Sequence, residues 1–144
     1  MEFLSCTATD CLTTNSVVSE TKASNVVRTS LEETTDDGAS WKDLGVIPGL
    51  GSITAFACAS PGQCVVAGDR PDFSGYAAVF TDDYGSTWRF LAGLRDTRFG
   101  LSAIECSTRS RCVATGADLH GAVLFTSTDG GRRFRPERCP RVKV

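Results

Sequence analysis

The pattern of Thr81-Asp82-Asp83-Tyr84-Gly85-Ser86-Thr87-Trp88 occurs three times in this chain. Thr34-Thr35-Asp36-Asp37-Gly38-Ala39-Ser40-Trp41 is the same pattern, and Ser127-Thr128-Asp129-Gly130-Gly131-Arg132-Arg133-Phe134 is a degraded copy. The shared form is a hydroxyl residue, a spacer, Asp, a spacer, Gly, two residues and a large aromatic. The Asp is expected to accept hydrogen bonds from backbone N–H groups two or three residues on, closing an Asx-type turn. The Gly supplies the positive φ that a tight hairpin turn requires. The aromatic is expected to open the outgoing strand and to bury apolar area, with a gross contribution of roughly 4–6 kcal/mol for a Trp.

Working outward, Asp36, Asp83 and Asp129 lie 47 and 46 residues apart, and Cys6, Cys58 and Cys106 lie 52 and 48 apart. A period near 47 matches a four-stranded propeller blade. The second repeat shows the strands. Ser52–Cys58 alternates, with Ile53, Ala55 and Ala57 expected on one face and Phe56 on the other. Ala59–Gln63 is a Pro-Gly turn, and Cys64–Gly68 is a second strand. Gly75–Thr81 is a third, and Thr87–Leu91 follows the repeated turn as a fourth. The third repeat copies this layout with a weak last strand near Arg133–Arg135. In the first repeat Val17–Ser24 is expected to be a long polar loop. The expected fold is all-β: one propeller segment of three antiparallel blades over 1–49, 50–98 and 99–136, with a basic tail at 137–144.

The chain has 144 residues and a net charge of −2, and no apolar run long enough to span a membrane. This balance does not suggest nucleic-acid binding. Residues 132–144 carry six basic residues and one acidic, so the remainder is acidic. Six of the seven cysteines fall as Cys6/Cys11, Cys58/Cys64 and Cys106/Cys112, leaving Cys139 over. Zinc sites use tighter pairs with further Cys or His, and His120 is the single histidine. Pairs recurring once per blade, across a hairpin neck, fit local disulfides of roughly 2–2.5 kcal/mol each. Disulfides imply an oxidising compartment, hence a secreted or cell-surface protein. Met1–Cys6 lacks the basic start and apolar stretch of a signal peptide, so the chain is expected to be a fragment. No metal or cofactor is expected.

The repeated motif resembles the Asp-box, or bacterial neuraminidase repeat, of sialidases, xyloglucanases, photosystem II assembly factors and sortilin-type receptors. Cys64–Gly68 and Cys112–Gly116 are similar to segments of exported bacterial propellers of that group. The likeness covers roughly Leu4–Pro136. It implies that the box residues Asp36, Gly38, Trp41, Asp83, Gly85, Trp88, Asp129, Gly131 and Phe134 are structural and lie away from any catalytic centre. The third copy has Arg133 where Thr or Ser is usual, so its hairpin is expected to be the weakest.

Three blades are fewer than the four to eight of a closed propeller. Blades outside this sequence, or a homo-dimer giving six, would close it, and the outer faces of the first and third blades are expected to expose apolar surface and remain open to association. Ligands of propellers usually meet the face carrying second-to-third-strand loops and linkers. Here that face would hold Asp69, Arg70 and Asp72, then Arg95, Asp96 and Arg98, then Asp118 and His120. Arginines clamp carboxylates bidentately, and paired carboxylates serve glycoside hydrolysis. The catalytic set of a sialidase is not matched: Phe134-Arg135-Pro136 is a poor echo of its Arg-Ile-Pro segment, and neither Tyr76 nor Tyr84 is placed as a nucleophile. The reading is therefore a non-catalytic module that binds a glycan or protein partner. The alternatives are a sialidase-like hydrolase fragment and an assembly factor of the photosystem II type.

Overall fold

A computed structural model describes residues 3–7, 10–21, 24–71, 74–94, 100–118 and 121–137, with the backbone alone at 17–21, 24–27, 93 and 118. They form three four-stranded antiparallel sheets, each in simple sequential order. Blade 1 holds β1 (Leu4–Thr7), β2 (Asp10–Thr21), β3 (Ser24–Thr34) and β4 (Lys42–Val46). Blade 2 holds β5 (Ile53–Ser60), β6 (Gln63–Asp69), β7 (Tyr76–Thr81) and β8 (Arg89–Phe90). Blade 3 holds β9 (Leu101–Cys106), β10 (Cys112–Asp118), β11 (Gly121–Ser127) and β12 (Arg135–Glu137). A single 3-10 turn, Ala92–Leu94, follows blade 2. Asp72, Arg95, Asp96, Arg98, His120 and Cys139 lie outside the described residues, as does the tail beyond Glu137.

Blade 2 is buried on both faces, and the period-2 alternation of its strands sends side chains to two separate cores. Ala55, Ala57, Val65, Ala67, Ala78 and Phe80 pack toward blade 3, against Leu101, Ile104, Ala114 and Phe125. Phe56, Val66, Ala77 and Val79 pack toward blade 1, against Leu12, Leu31, Ile47 and Leu50. Ile53 joins this second group, whereas simple alternation placed it with Ala55 and Ala57. The cause is a bulge: Ile53 pairs with Gly68 and Ala55 with Ala67, leaving Thr54 as an extra residue that inverts the facing. Gly68 is required there, because a Cβ would overlap the Ser52 carbonyl, which accepts the Asp69 N–H at 2.9 Å. Gly116 repeats the device in blade 3, with a bulge at Thr115/Gly116, where a Cβ would lie 2.6 Å from the Gly100 carbonyl oxygen.

One further expectation is corrected. Of the expected Val17–Ser24 loop, residues 17–21 and 24 are strand: β2 runs to Thr21 and β3 starts at Ser24, paired in unbroken register from Cys11↔Thr34 to Thr21↔Ser24. The β-branched residues of this stretch extend the ladder despite its polarity. The outer faces of the first and third blades do expose apolar side chains, Leu4 at 63% and Val113 at 42%, although the first also carries charge. Residues directly opposite on paired strands share a face. On the face turned toward the preceding blade, blade 2 has the row Phe56–Val66–Val79–Phe90 and blade 3 the row Ile104–Ala114–Phe125–Pro136. The corresponding row in blade 1 is Leu4–Thr13–Glu32–Asp43.

Candidate functional site

The antiparallel meander sorts the loops onto two ends. The first hairpin of each blade and the repeated turn share one end, because Cys11, Cys64 and Cys112 pair with Thr34, Thr81 and Ser127. The second hairpin and the linkers share the other.

At the turn end, the three motif copies fold alike. Each hydroxyl donates to its Asp at 2.8 Å and accepts the N–H of the Gly at 2.9 Å. Asp36, Asp83 and Asp129 in turn accept the backbone N–H of Ser40, Thr87 and Arg133 at 2.8, 2.9 and 2.9 Å. The carboxylate thus reaches four residues on, beyond the two or three of a simple Asx turn, because two left-handed residues intervene. Asp37 and Gly38 have φ of 56° and 87°, and Tyr84 and Gly85 have 58° and 83°, the φ pair of a type I′ turn. The Ser40 and Thr87 hydroxyls add a second bond to Asp36 and Asp83. Arg133 has no hydroxyl to do so. The Ser40 hydroxyl and N–H and the Thr34 hydroxyl hold the Asp36 carboxyl down to about 2. Asp83 is lowered by the Thr87 hydroxyl and N–H and by the Thr81 hydroxyl, against opposing burial. Burial pushes Asp129 up, but the Arg133 N–H, the Ser127 hydroxyl and the Arg133 charge outweigh it. All three carboxylates are committed to holding turns.

The aromatics differ. Phe134 is buried, Trp88 is half-buried against the core shared by blades 1 and 2, and Trp41 remains 44% exposed. The burial expected of Trp41 is not achieved. Trp41 and Trp88 also sit one residue before their strands.

Sequence reasoning missed a polar seam between blades 1 and 2. The Tyr84 hydroxyl donates to Asp10 Oδ2 at 3.1 Å. Burial pushes the Glu33 carboxyl up, helped by the neighbouring Asp10, with Lys42 opposing. Burial, the bond to Asp10 and the charges of Asp10 and Glu33 push the Tyr84 phenol up. Its only sequence signal was the spacer position of the motif, where Tyr84 follows Asp83. A second missed feature lies between blades 2 and 3. The Arg89 and Arg132 guanidiniums stack on the Phe80 ring, 5.1 and 5.4 Å from its centroid, and Arg132 pairs with Asp82 at 3.0 Å. Along the inner strands, Leu4–Cys6, Phe56–Cys58 and Ile104–Ser107 line a concavity of about 540 Å³.

At the linker end, Asp69 and Arg70 close β6. Their backbone is pinned by Gly51 N–H to the Asp69 carbonyl (2.8 Å), Asp69 N–H to Ser52 (2.9 Å) and Arg70 N–H to Gly75 (2.8 Å). Asp69 is half-buried and Arg70 exposed. Asp118 ends β10, opposite Gly121. The sequence reading places Asp69, Arg70 and Asp118 in the loops between second and third strands; the structure pairs Asp69 with Tyr76 as the last residue of β6 and Asp118 with Gly121 as the last of β10, and leaves Arg70 just beyond β6. Among the described residues no cluster of three or more His, Cys, Asp or Glu could hold a metal ion. The cysteine pairs Cys6–Cys11, Cys58–Cys64 and Cys106–Cys112 are disulfides, each with Cα atoms 4.0 Å apart. No described helix is long and apolar enough to cross a membrane. No family model matches the chain, and no curated protein matches it.

Proposed function

We propose that this chain is a non-catalytic propeller module that binds a glycan or a protein partner through its linker end, in an oxidising compartment at or beyond the cell surface. One observation carries the reading. The recurring carboxylates, the residues best suited by number to chemistry, are consumed by turn hydrogen bonds, whereas Asp69 and Arg70 stand on backbone pinned by three linker and loop bonds. A charged pair on a rigid frame loses little freedom on meeting a polar ligand. Arg70 supplies a planar donor fork for a carboxylate or a sugar hydroxyl pair. The likeness of the repeated turn to the Asp-box supports the same division, with turns as scaffold and the opposite end as binding face. The three disulfides support the compartment.

The test is a glycan array probed with the oxidised chain, alongside a fluorogenic sialoside assay. Binding that Arg70→Ala abolishes, with no turnover, is the expected result. Turnover lost in Arg95→Ala or Arg98→Ala would replace the module with the sialidase-like hydrolase fragment.

A further inference from the structure

We propose that the cleft between blades 2 and 3, beside the third copy of the repeated turn, docks an acidic peptide segment of a partner protein, with an Asp or Glu carboxylate next to an apolar side chain. The cleft has a volume of about 370 Å³. Its exposed lining is Arg89 of β8 and Arg132 and Arg133 of the turn, and its buried lining includes Leu91, Leu94 and Phe134. It shares no residue with Asp69 and Arg70.

Two comparisons between repeats single this cleft out. At the sixth and seventh positions of the motif the first two copies have Ala39-Ser40 and Ser86-Thr87, and the third has Arg132-Arg133. The Ser40 and Thr87 hydroxyls bond to Asp36 and Asp83, whereas Arg133 gives Asp129 only its backbone N–H. The third turn thus lacks a hydrogen bond and gains two guanidiniums. The outer strands differ as well. In blade 1 Glu33 stands opposite Lys42, and their charges act on each other. In blade 2 the corresponding pair is Phe80 and Arg89. The Phe80 ring holds Arg89 and Arg132 at 5.1 and 5.4 Å without neutralising either.

The charge left over selects the ligand. Arg132 pairs with Asp82 at 3.0 Å, and the Arg133 charge acts on Asp129. Arg89 donates to the Arg132 carbonyl at 3.3 Å, an uncharged acceptor. Three guanidiniums therefore meet two carboxylates, and one positive charge remains. Stacking and these bonds already orient Arg89 and Arg132, so less freedom is lost on binding. A guanidinium fork matches a carboxylate. The other lining side chains are apolar, and guanidiniums only donate. Sugar hydroxyls would find no side-chain acceptor there. A carboxylate needs donors alone, and its apolar neighbour meets Leu91, Leu94 and Phe134, which favours a peptide over a glycan.

The experiment titrates the oxidised 144-residue chain with acetyl-leucyl-glutamyl-leucine amide and follows the arginine Nε–H groups by NMR. The Arg89 and Arg132 signals should move and saturate, and the glutamine counterpart of the peptide should bind at least about fivefold more weakly. Arg89→Gln should weaken the peptide by a similar factor. Arg133→Thr restores the hydroxyl of the other two copies, so its melting temperature should rise while its affinity for the peptide falls. Arg70→Ala should leave the titration unchanged, which keeps this site separate from the linker-end reading: either can fail while the other stands. Equal binding of the two peptides, unchanged affinity in Arg89→Gln and Arg133→Thr, or loss of binding in Arg70→Ala would each overturn the proposal. Glucuronate binding more tightly than the peptide at the same signals would overturn it in favour of a glycan.

Discussion

Thr81 shows at one residue what the repeated turn depends on. Its hydroxyl is buried, donates to Asp83 and accepts the Gly85 N–H at 2.9 Å. Thr81→Val keeps the shape and leaves that N–H without a partner, so urea unfolding should show a loss of about 1–3 kcal/mol. A loss near zero would mean water replaces the hydroxyl. The carboxylates act through pH. Asp36 is held at about 2, below its ordinary value of 3.8, and Asp83 and Asp129 shift the same way. A folded value below the unfolded one gives stability that is complete above about pH 4 and lost as pH falls toward 2. The melting temperature should fall across that window, and Asp36→Asn should make the fall shallower. Glu33 has the opposite sign: its raised value makes the charged form a cost at neutral pH. Glu33→Gln should therefore raise the melting temperature at pH 7 and do less at pH 4.

At the scale of elements, the repeated turn joins blades as well as strands. Tyr84 reaches Asp10 of blade 1, and the Gln63 amide of blade 2 donates to the Gly130 carbonyl at 3.1 Å. A methyl at Gly131 would press on Val65 of blade 2, and one at Gly85 on Leu31 of blade 1. The turns of blades 2 and 3 therefore each seat on the blade before. The disulfides close the same end, but they differ in access. Cys64 is wholly buried and Cys58 nearly so, while Cys6 is exposed. Thiolate attack needs access to a sulfur. Graded reduction followed by alkylation and mass mapping should open Cys6–Cys11 before Cys58–Cys64. Replacing Cys58 and Cys64 together by Ala should cost roughly 2 kcal/mol in the loop-entropy account. The long β2–β3 hairpin and the bulge at Thr54 also belong to this scale. Both depend on pairing partners many residues away, which composition and local pattern do not specify.

At the scale of the molecule, stability is concentrated where one blade faces another. Phe80 lies in the core between blades 2 and 3 beneath two arginines, and Phe80→Ala should cost about 3–5 kcal/mol. Trp41→Ala should cost far less, because much of the ring already meets water. Equilibrium denaturation of both variants under one condition checks the contrast. Much of this architecture was legible in the chain. The recurring Asp and Gly, the cysteine pairs and the nearly continuous small and apolar run of Gly75–Thr81 are local signals. Turn chemistry acts over four residues and a strand's facing repeats every two, so sequence alone determined three blades of four antiparallel strands. It put Asp69 and Asp118 in loops, whereas the structure has them paired as the last residues of β6 and β10. What sequence left open was every fact that needs two blades at once: that Thr54 turns Ile53 toward blade 1, that Tyr84 meets Asp10. These follow from which faces are brought together, and only the packed tertiary structure decides that, because burial is a property of the neighbour as much as of the residue.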